Sequence, residues 1–387
     1  MRNFCFLTGL GMFVYYFVGC QVSINAQSND EIEYQNLNEI EIVMLTEIAE
    51  SGDYMPGRMT DLFVASDGTI LISDFSSTTI EQFSAEGAHV GTIAREGNGP
   101  GELPFFFSLT DGGNDTLIVQ HNSSTKLDFF AKNSIGLFSY VRSSIKEPGR
   151  NYQPISIQGA HTESRYYAIR DLTEVALGLP NYRINILLII DGSQEVQYDS
   201  VHTLKTANAL FADPRKYSTR VTFGGLTPIG VPPYRYEDRF RVLENGRYVI
   251  ARPDSSAIYV YNHNHERTSK ITLNVKPRLI EKQNLDYKLQ EKSRQVRRML
   301  EEQVSDLKPP FLNVWVSNNH ILMHTDSSDK GKEMVVLTTE GEAVGRFYLS
   351  KFDDIRYFID NKIYTLKHDP FGHTLRIYQI LLEGSVF

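Results

Sequence analysis

The sequence predicts an all-β fold, a six-bladed β-propeller of four-stranded antiparallel blades with one helical insertion between blades four and five. Three observations carry that prediction. A strand–turn–strand pattern recurs along the chain. Its turns are spaced by about one blade once two insertions are set aside. The composition also favours strands: Tyr and Phe number 21 and 22 in 387 residues, and aromatic side chains suit a pleated, packed surface.

The pattern is clearest at "LISDFSSTTIEQFSAEG" from Leu71, "LIVQHNSSTKLDFFAKN" from Leu117 and "YVIARPDSSAIYVYNHN" from Tyr248. It returns at "ILMHTDSSDKGKEMVVLTTEG" from Ile321 and "IYTLKHDPFGHTLRIYQI" from Ile363. A weaker copy pairs "YYAIRDL" from Tyr166 with "RINILLIIDGS" from Arg183. Each copy is an apolar strand, a polar turn and a second strand. Most are followed by another turn and one more strand, which is a four-stranded meander. The turn residues Asp74, His121, Asp171, Asp254, Asp326 and Asp369 are 47, 50, 83, 72 and 43 residues apart. The two long gaps hold insertions, read as a loop over Thr203–Tyr236 and a helical segment over Val275–Pro309. Without them the period is that of a propeller blade, roughly 40–50 residues. Two stacked β-sandwiches would leave the repeated turn unexplained.

From the N-terminus, "MRNFCFLTGLGMFVYYFVGCQ" has one early cation and then an apolar run, short for a membrane span but suited to a signal peptide. Its end, "FVGC", resembles a bacterial lipobox, which implies a signal over residues 1–20 and lipidation of Cys20. Ordinary cleavage after Ala26 and an uncleaved anchor are the alternatives. Residues 21–38 are read as a flexible tether and 39–387 as one propeller domain. "EIEIVMLTEI", Glu39–Ile48, is a strand without a partner nearby. The last blade has too little chain for its outer strand, so this segment is expected to supply it and close the ring.

Blade one ends in "FSAEGAHVGTIAREGNGPGEL". This resembles an NHL repeat, and the architecture is similar to that of TolB-like and NHL-like six-bladed propeller lipoproteins of Gram-negative bacteria. The resemblance implies the propeller fold and an envelope location, in the outer membrane or periplasm, with plain secretion as the alternative. It implies no single activity, because such folds serve binding proteins and enzymes alike.

The glycine connector itself, "AREGNGPGELPF", looks like a phosphate loop. A phosphate cradle needs glycines leading into a helix N-terminus. Here Pro100 interrupts the glycines, a strand-like segment follows and no P-loop lysine is present. The connector reads as a corner between blades. The turn residues His121, His324, His368, Asp74, Asp326 and Asp369 belong to blades splayed around a ring. One ion needs every ligand within about 2.0–2.6 Å, so no metal site and no cofactor are expected.

The stretch from Ile280 to Pro310 reads as one helix, with Leu285, Leu289, Val296, Leu300, Val304 and Leu307 near helical spacing and Pro309–Pro310 as its stop. "ADPRKYSTRVTFGGLTPIGVPPYRYEDRF", from Ala212, is a long loop rich in Tyr and Arg, which reads equally as a contact surface or as a packed surface loop. Both insertions and the glycine connector should surround one mouth of the channel. Candidate ligand contacts there are Arg95, Arg220, Tyr234 and Arg235.

Net charge is −8, which argues against a nucleic-acid partner, since phosphate neutralisation needs a basic face. Both cysteines, Cys5 and Cys20, lie in the signal segment. The remaining domain therefore has no disulfide, zinc–thiolate site or cysteine nucleophile. No nucleophile elbow or H-E-x-x-H helix is present. The expected function is binding of a protein, peptide or glycan by a monomer held at the membrane through its lipid. The alternative is a propeller hydrolase or lyase, NHL- or lactonase-like, with its site in the channel.

Overall fold

Strands whose side chains are apolar on both faces must be covered on both faces. Here Ile70–Asp74 and the interior of Gly331–Thr338 are such strands, buried at nearly every position, and Thr79–Phe83 is buried throughout although it carries Glu81 and Gln82. A computed structural model of the chain shows how the covering is achieved. It describes residues 34–49, 54–121, 126–145, 155–171, 182–193, 195–207, 210–212, 227–230, 232–290, 292–317, 319–369 and 372–382.

Six four-stranded antiparallel sheets follow one another as blades. Blade one spans Met59–Ala94, blade two Phe107–Ile145 and blade three Ile155–Ala207. Blade four spans Arg239–Thr272, blade five Asn313–Leu349 and blade six Asp353–Ile380. In blades one to five the first strand in sequence lies innermost, in blade six Asp353–Ile359 does, and each innermost strand neighbours those of the blades before and after it. The ring is thus continuous around a central axis.

The outer strand of blade six is Ile42–Ile48, antiparallel to Gly372–Ile380 with Ile42 opposite Ile380 and Ile48 opposite Leu375. It begins three residues later than the Glu39 read from sequence. Before it, the chain docks on blade five. The Ile40 amide donates to the Arg346 carbonyl, and the Arg346 amide to the Asn38 carbonyl, both at 2.9 Å. Tyr34 is buried between blades four and five, and its hydroxyl donates to the Pro310 carbonyl. The tether read over residues 21–38 is therefore corrected at its C-terminal end: Tyr34 and Leu37 pack against the seam of blades four and five, and Asn38 bonds to blade five through its carbonyl. Cys5, Cys20 and Ala26 lie outside the described residues.

The apolar core is six separate seams, one between each pair of neighbouring blades. Strand alternation splits each blade between two seams. Ile70 and Ile72 face blade six, whereas Leu71 faces blade two. Val249 and Ala251 face blade five, whereas Tyr248 and Ile250 face blade three.

The outer strand of blade three runs to Ala207, so the first insertion starts after it and not at Thr203. It carries a small hairpin, Leu210–Ala212 with Thr227–Gly230. The second insertion holds two helices, α1 (Lys282–Leu289) and α2 (Arg294–Glu301), in place of the single one expected. The Ser293 hydroxyl caps α2 by accepting the Val296 amide. A straight helix would hold Leu289 and Leu300 about 16 Å apart along its axis. Breaking it lets these two side chains bury against each other, with Leu285, Val296 and Met299 around them.

Ring closure generates a stability prediction. Ile48 is 3% exposed and lies in the seam of blades one and six. Ile48→Ala should cost about 2–5 kcal/mol in chemical denaturation, and deletion of residues 27–49 should cost more. A deletion variant that unfolds at the full-length midpoint would show that closure does not depend on this strand.

Candidate functional site

In an antiparallel meander the connector from outer strand to next innermost strand shares an end with the turn between second and third strands. The glycine connector, both insertions and the segment leading into blade one therefore crown one mouth of the ring. The tight first turns of the blades lie at the other mouth.

At the insertion mouth, blades one and two present aromatic side chains. Phe105 and Phe106 are 53% and 54% exposed. Their ring centroids lie 4.7 Å apart, and Phe75 sits 4.7 Å from Phe105 and 5.6 Å from Phe106. The Arg58 guanidinium lies 5.3 Å from the centre of the Phe75 ring. Asp74, buried beneath, positions both pieces. It accepts the amides of Gly57 (2.7 Å), Arg58 (2.9 Å) and Ser76 (2.9 Å), and the Tyr54 hydroxyl (2.9 Å). A side chain at position 57 would meet Ser76 Cβ at 2.6 Å, so glycine is required for the two segments to come this close.

The glycine connector is closed upon itself. Gly99 donates its amide to Glu102 Oε2 at 2.6 Å, and Gly97 donates to the Leu103 carbonyl at 3.1 Å. Glu102 thus supplies the carboxylate that a phosphate cradle would leave to its ligand. Leu103 is fully buried between blades one and two. Arg95 is exposed on the connector, and its carbonyl accepts the Leu103 amide.

Blades four to six make the charged arc of the same mouth. Tyr234 is 4% exposed, adopts a left-handed φ of 55°, and its hydroxyl has no hydrogen-bond partner among the described residues. Burial, then Asp326 and Glu281, push that hydroxyl up to about 12. Arg235 pairs with Glu237 at 3.3 Å, and Arg239 with the same oxygen at 2.9 Å. Tyr236 donates to the Lys308 carbonyl at 3.2 Å and so ties one insertion to the other. Asp326 receives Lys308 Nζ at 2.7 Å and Arg278 Nη1 at 3.4 Å. Burial and the neighbouring Lys332 and Lys288 hold the His324 imidazole down at about 3.

Of the four candidate contacts, Tyr234 and Arg235 share this arc. Arg95 stands on the connector between blades one and two, and no described contact joins it to them. Arg220 lies outside the described residues, as do the side chains of His368 and Asp369. Asp254 pairs with Lys205 at 2.7 Å, and His121 with Asp128 at 2.8 Å. Among the described residues, no three His, Cys, Asp or Glu side chains converge to hold a metal ion.

Along the axis, acidic groups stitch blades together. Asp61 accepts the amides of Leu62 (3.0 Å) and of Leu109 in the next blade (2.8 Å). Asp111 accepts the Gly113 amide at 2.7 Å and the Tyr357 hydroxyl, from blade six, at 3.0 Å. Burial raises both carboxyl groups above the usual range, against the pull of these donors.

One group was not singled out from sequence. Between blades three and four, near the opposite mouth, the Tyr248 hydroxyl bridges His202 Nε2 at 2.8 Å and His265 Nδ1 at 3.3 Å. His161 stacks on His265 with centroids 5.7 Å apart, and its Nε2 meets the His263 carbonyl. These histidines come from three strands or turns far apart in the chain, and only the crowding of "YNHNH" hinted at them.

No family model matches the chain, and no curated protein matches it. Solved structures match along most of its length at low identity. A Bacteroides fragilis protein inferred to be exported is 12% identical, with 89% of this chain and 95% of that one covered and a TM-score of 0.46. A DUF4221 member from Bacteroides vulgatus is 13% identical, with 89% and 99% covered and a TM-score of 0.44. Virginiamycin B lyase of Staphylococcus aureus is 11% identical, with 88% and 100% covered and a TM-score of 0.40. At these values the likenesses carry nothing about activity.

The histidine chain gives a pH prediction. Burial first, then Arg252 and His265, hold His202 at about 4, and burial lowers His161 and His265 also. Unfolded imidazoles titrate near 6.5. Between these values the unfolded chain binds more protons than the folded one. The stabilisation is complete above about pH 6.5 and is lost as pH falls toward 4, at up to about 1.4 kcal/mol per pH unit for each displaced proton. Denaturant midpoints measured from pH 4 to 7.5 should rise with pH. His202→Gln should flatten that rise; an unchanged slope would remove His202 from the account.

Proposed function

We propose that this chain is an exported binding protein whose ligand, a protein, peptide or glycan, sits at the insertion mouth. The observation that carries the reading is the cluster of exposed Phe105 and Phe106 on half-buried Phe75, whose turn Asp74 ties to the Gly57–Arg58 segment. Exposed aromatic rings on a rigid support lose little conformational freedom on binding, and sites favour loops held by such scaffolds. The channel carboxylates favour binding over the hydrolase or lyase alternative, because Asp61 and Asp111 are engaged by backbone amides and Tyr357. The relationship to TolB-like and NHL-like lipoproteins belongs to this proposal and rests on "GNGPGEL" and the lipobox.

The test is to pan a peptide-display library and a glycan array against the protein. Ligands found should lose at least about tenfold in affinity to a Phe105→Ala/Phe106→Ala variant. Its stability should stay within about 1 kcal/mol, twice the usual allowance of ~0.5 for a surface change. Ligands indifferent to this variant would overturn the reading.

Lipid anchoring at Cys20 is part of the same proposal. Cys20→Ala should move the protein from the membrane fraction to the soluble fraction. Wild-type protein found soluble with Gln27 as its first residue would show ordinary signal cleavage.

A further inference from the structure

The aromatic cluster carries a cation at its edge. Arg58 is exposed, and its guanidinium lies 5.3 Å from the centre of the Phe75 ring. Its main chain is engaged on both sides: the amide donates to Asp74 at 2.9 Å, and the carbonyl accepts the Phe75 amide at 2.8 Å. Its side chain forms no ion pair and no hydrogen bond among the described residues. Asp74, the carboxylate bonded to this segment, is buried and already accepts the amides of Gly57, Arg58 and Ser76 and the Tyr54 hydroxyl. A guanidinium stacked on a ring keeps the N–H donors of its edge free for a carboxylate.

The three rings form a cup, not a platform. Phe105 is tilted by 58° to Phe75, Phe106 by 35° to Phe75, and Phe105 and Phe106 stand at 78° to each other. A glycan laid in this cup would bury hydroxyl groups against rings that offer them no hydrogen bond, which is unfavourable. An apolar side chain fills it without that loss. Arg58 sets a second condition. It stands beside one ring of the cup, so a carboxylate that reaches it must be attached close to the apolar group. At the last residue of a peptide, side chain and carboxylate share one Cα. Within an extended chain the next side chain points to the opposite face, and the one after it lies about 7 Å further on.

We propose that Phe75, Phe105, Phe106 and Arg58 bind the C-terminal residue of a peptide or protein chain, its apolar side chain in the aromatic cup and its terminal carboxylate on the guanidinium. Capture of a chain terminus is a known mode of peptide recognition. The proposal rests on the binding reading above and narrows its ligand to a chain end.

The experiment titrates the purified protein, by ligand-observed NMR, with acetyl-Ala-Ala-Phe bearing a free carboxylate and with the same peptide as its primary amide. A third peptide, acetyl-Phe-Ala-Glu amide, places the carboxylate on a side chain. The free acid should bind about three- to fivefold tighter than either amide, the upper part of what an exposed charge pair contributes. Arg58→Met keeps an aliphatic stem over Phe75. It should remove that preference and leave the affinity of the Phe amide within about twofold. Arg58→Lys should retain part of the preference, since the charge stays and the planar fork is lost. Phe105→Ala/Phe106→Ala should weaken acid and amide alike. Equal binding of acid and amide would overturn the proposal. So would a preference that survives Arg58→Met, equally tight binding of the side-chain carboxylate, or saturable binding of none of the three. The comparison of three peptides on the wild type needs no variant, so it decides the matter even if Arg58→Met does not fold. Panned ligands that need Phe105 and Phe106 but present no chain terminus would overturn this proposal alone and leave the binding reading standing.

Discussion

Pairing of Ile42–Ile48 with Gly372–Ile380 is the contact on which the other blade seams depend. Each blade carries apolar side chains on both faces, so no blade is covered until it has a neighbour on each side. An open row of six would leave two apolar faces and two sheet edges in water. Closure removes both faces at once, and the first described strand does it by completing the last blade. Ile48 then joins Tyr54, Met59 and Leu375 in a single seam, so the two ends of the chain are held by the same apolar contacts.

Closure also fixes what lies at each mouth. Outer-to-inner connectors can lengthen without disturbing any sheet, because they leave the ring at its rim and return at its axis. Both insertions used that freedom at the same end. Once there, they bonded to each other through Tyr236 and Lys308 and buried Leu289 against Leu300. The result is a mouth with two chemistries, aromatic over blades one and two, charged over blades four to six. The opposite mouth keeps tight turns, with a run of histidines and tyrosines pressed between blades three and four.

Several acidic residues that suggest catalysis are structural here, for a common reason. A propeller turns its chain sharply at many places, and each corner leaves backbone amides without sheet partners. Asp74, Glu102, Asp61 and Asp111 accept such amides. Asp61 does so across a blade boundary and thereby joins the innermost strands of blades one and two. These carboxylates replace missing ladder hydrogen bonds, which is why they sit at turns and at the axis.

The propeller was legible in the sequence because its signal is local and repeated: an apolar strand, a polar turn and a second strand need only neighbouring residues, and six copies reinforce one another. The strand at Ile42–Ile48 could be read as unpartnered for the same reason. The glycine connector could be recognised as a corner because Pro100 breaks the pattern a phosphate loop requires. Spacing reads a continuous helix from Ile280 because it cannot show that Leu289 and Leu300 bury in one cluster across a break. The sites were hardest. Tyr234 reads in sequence as an aromatic in a long loop, but nothing local shows that its hydroxyl is buried without a partner among the described residues, or that Lys288 lies across its ring. Lys332, His324, His202 and Tyr248 take their surroundings from other blades and insertions, so their charge states follow from burial and neighbours distant in sequence. Local hydrogen bonding and alternation are written in the chain order; electrostatics at the mouth exist only after the ring has closed.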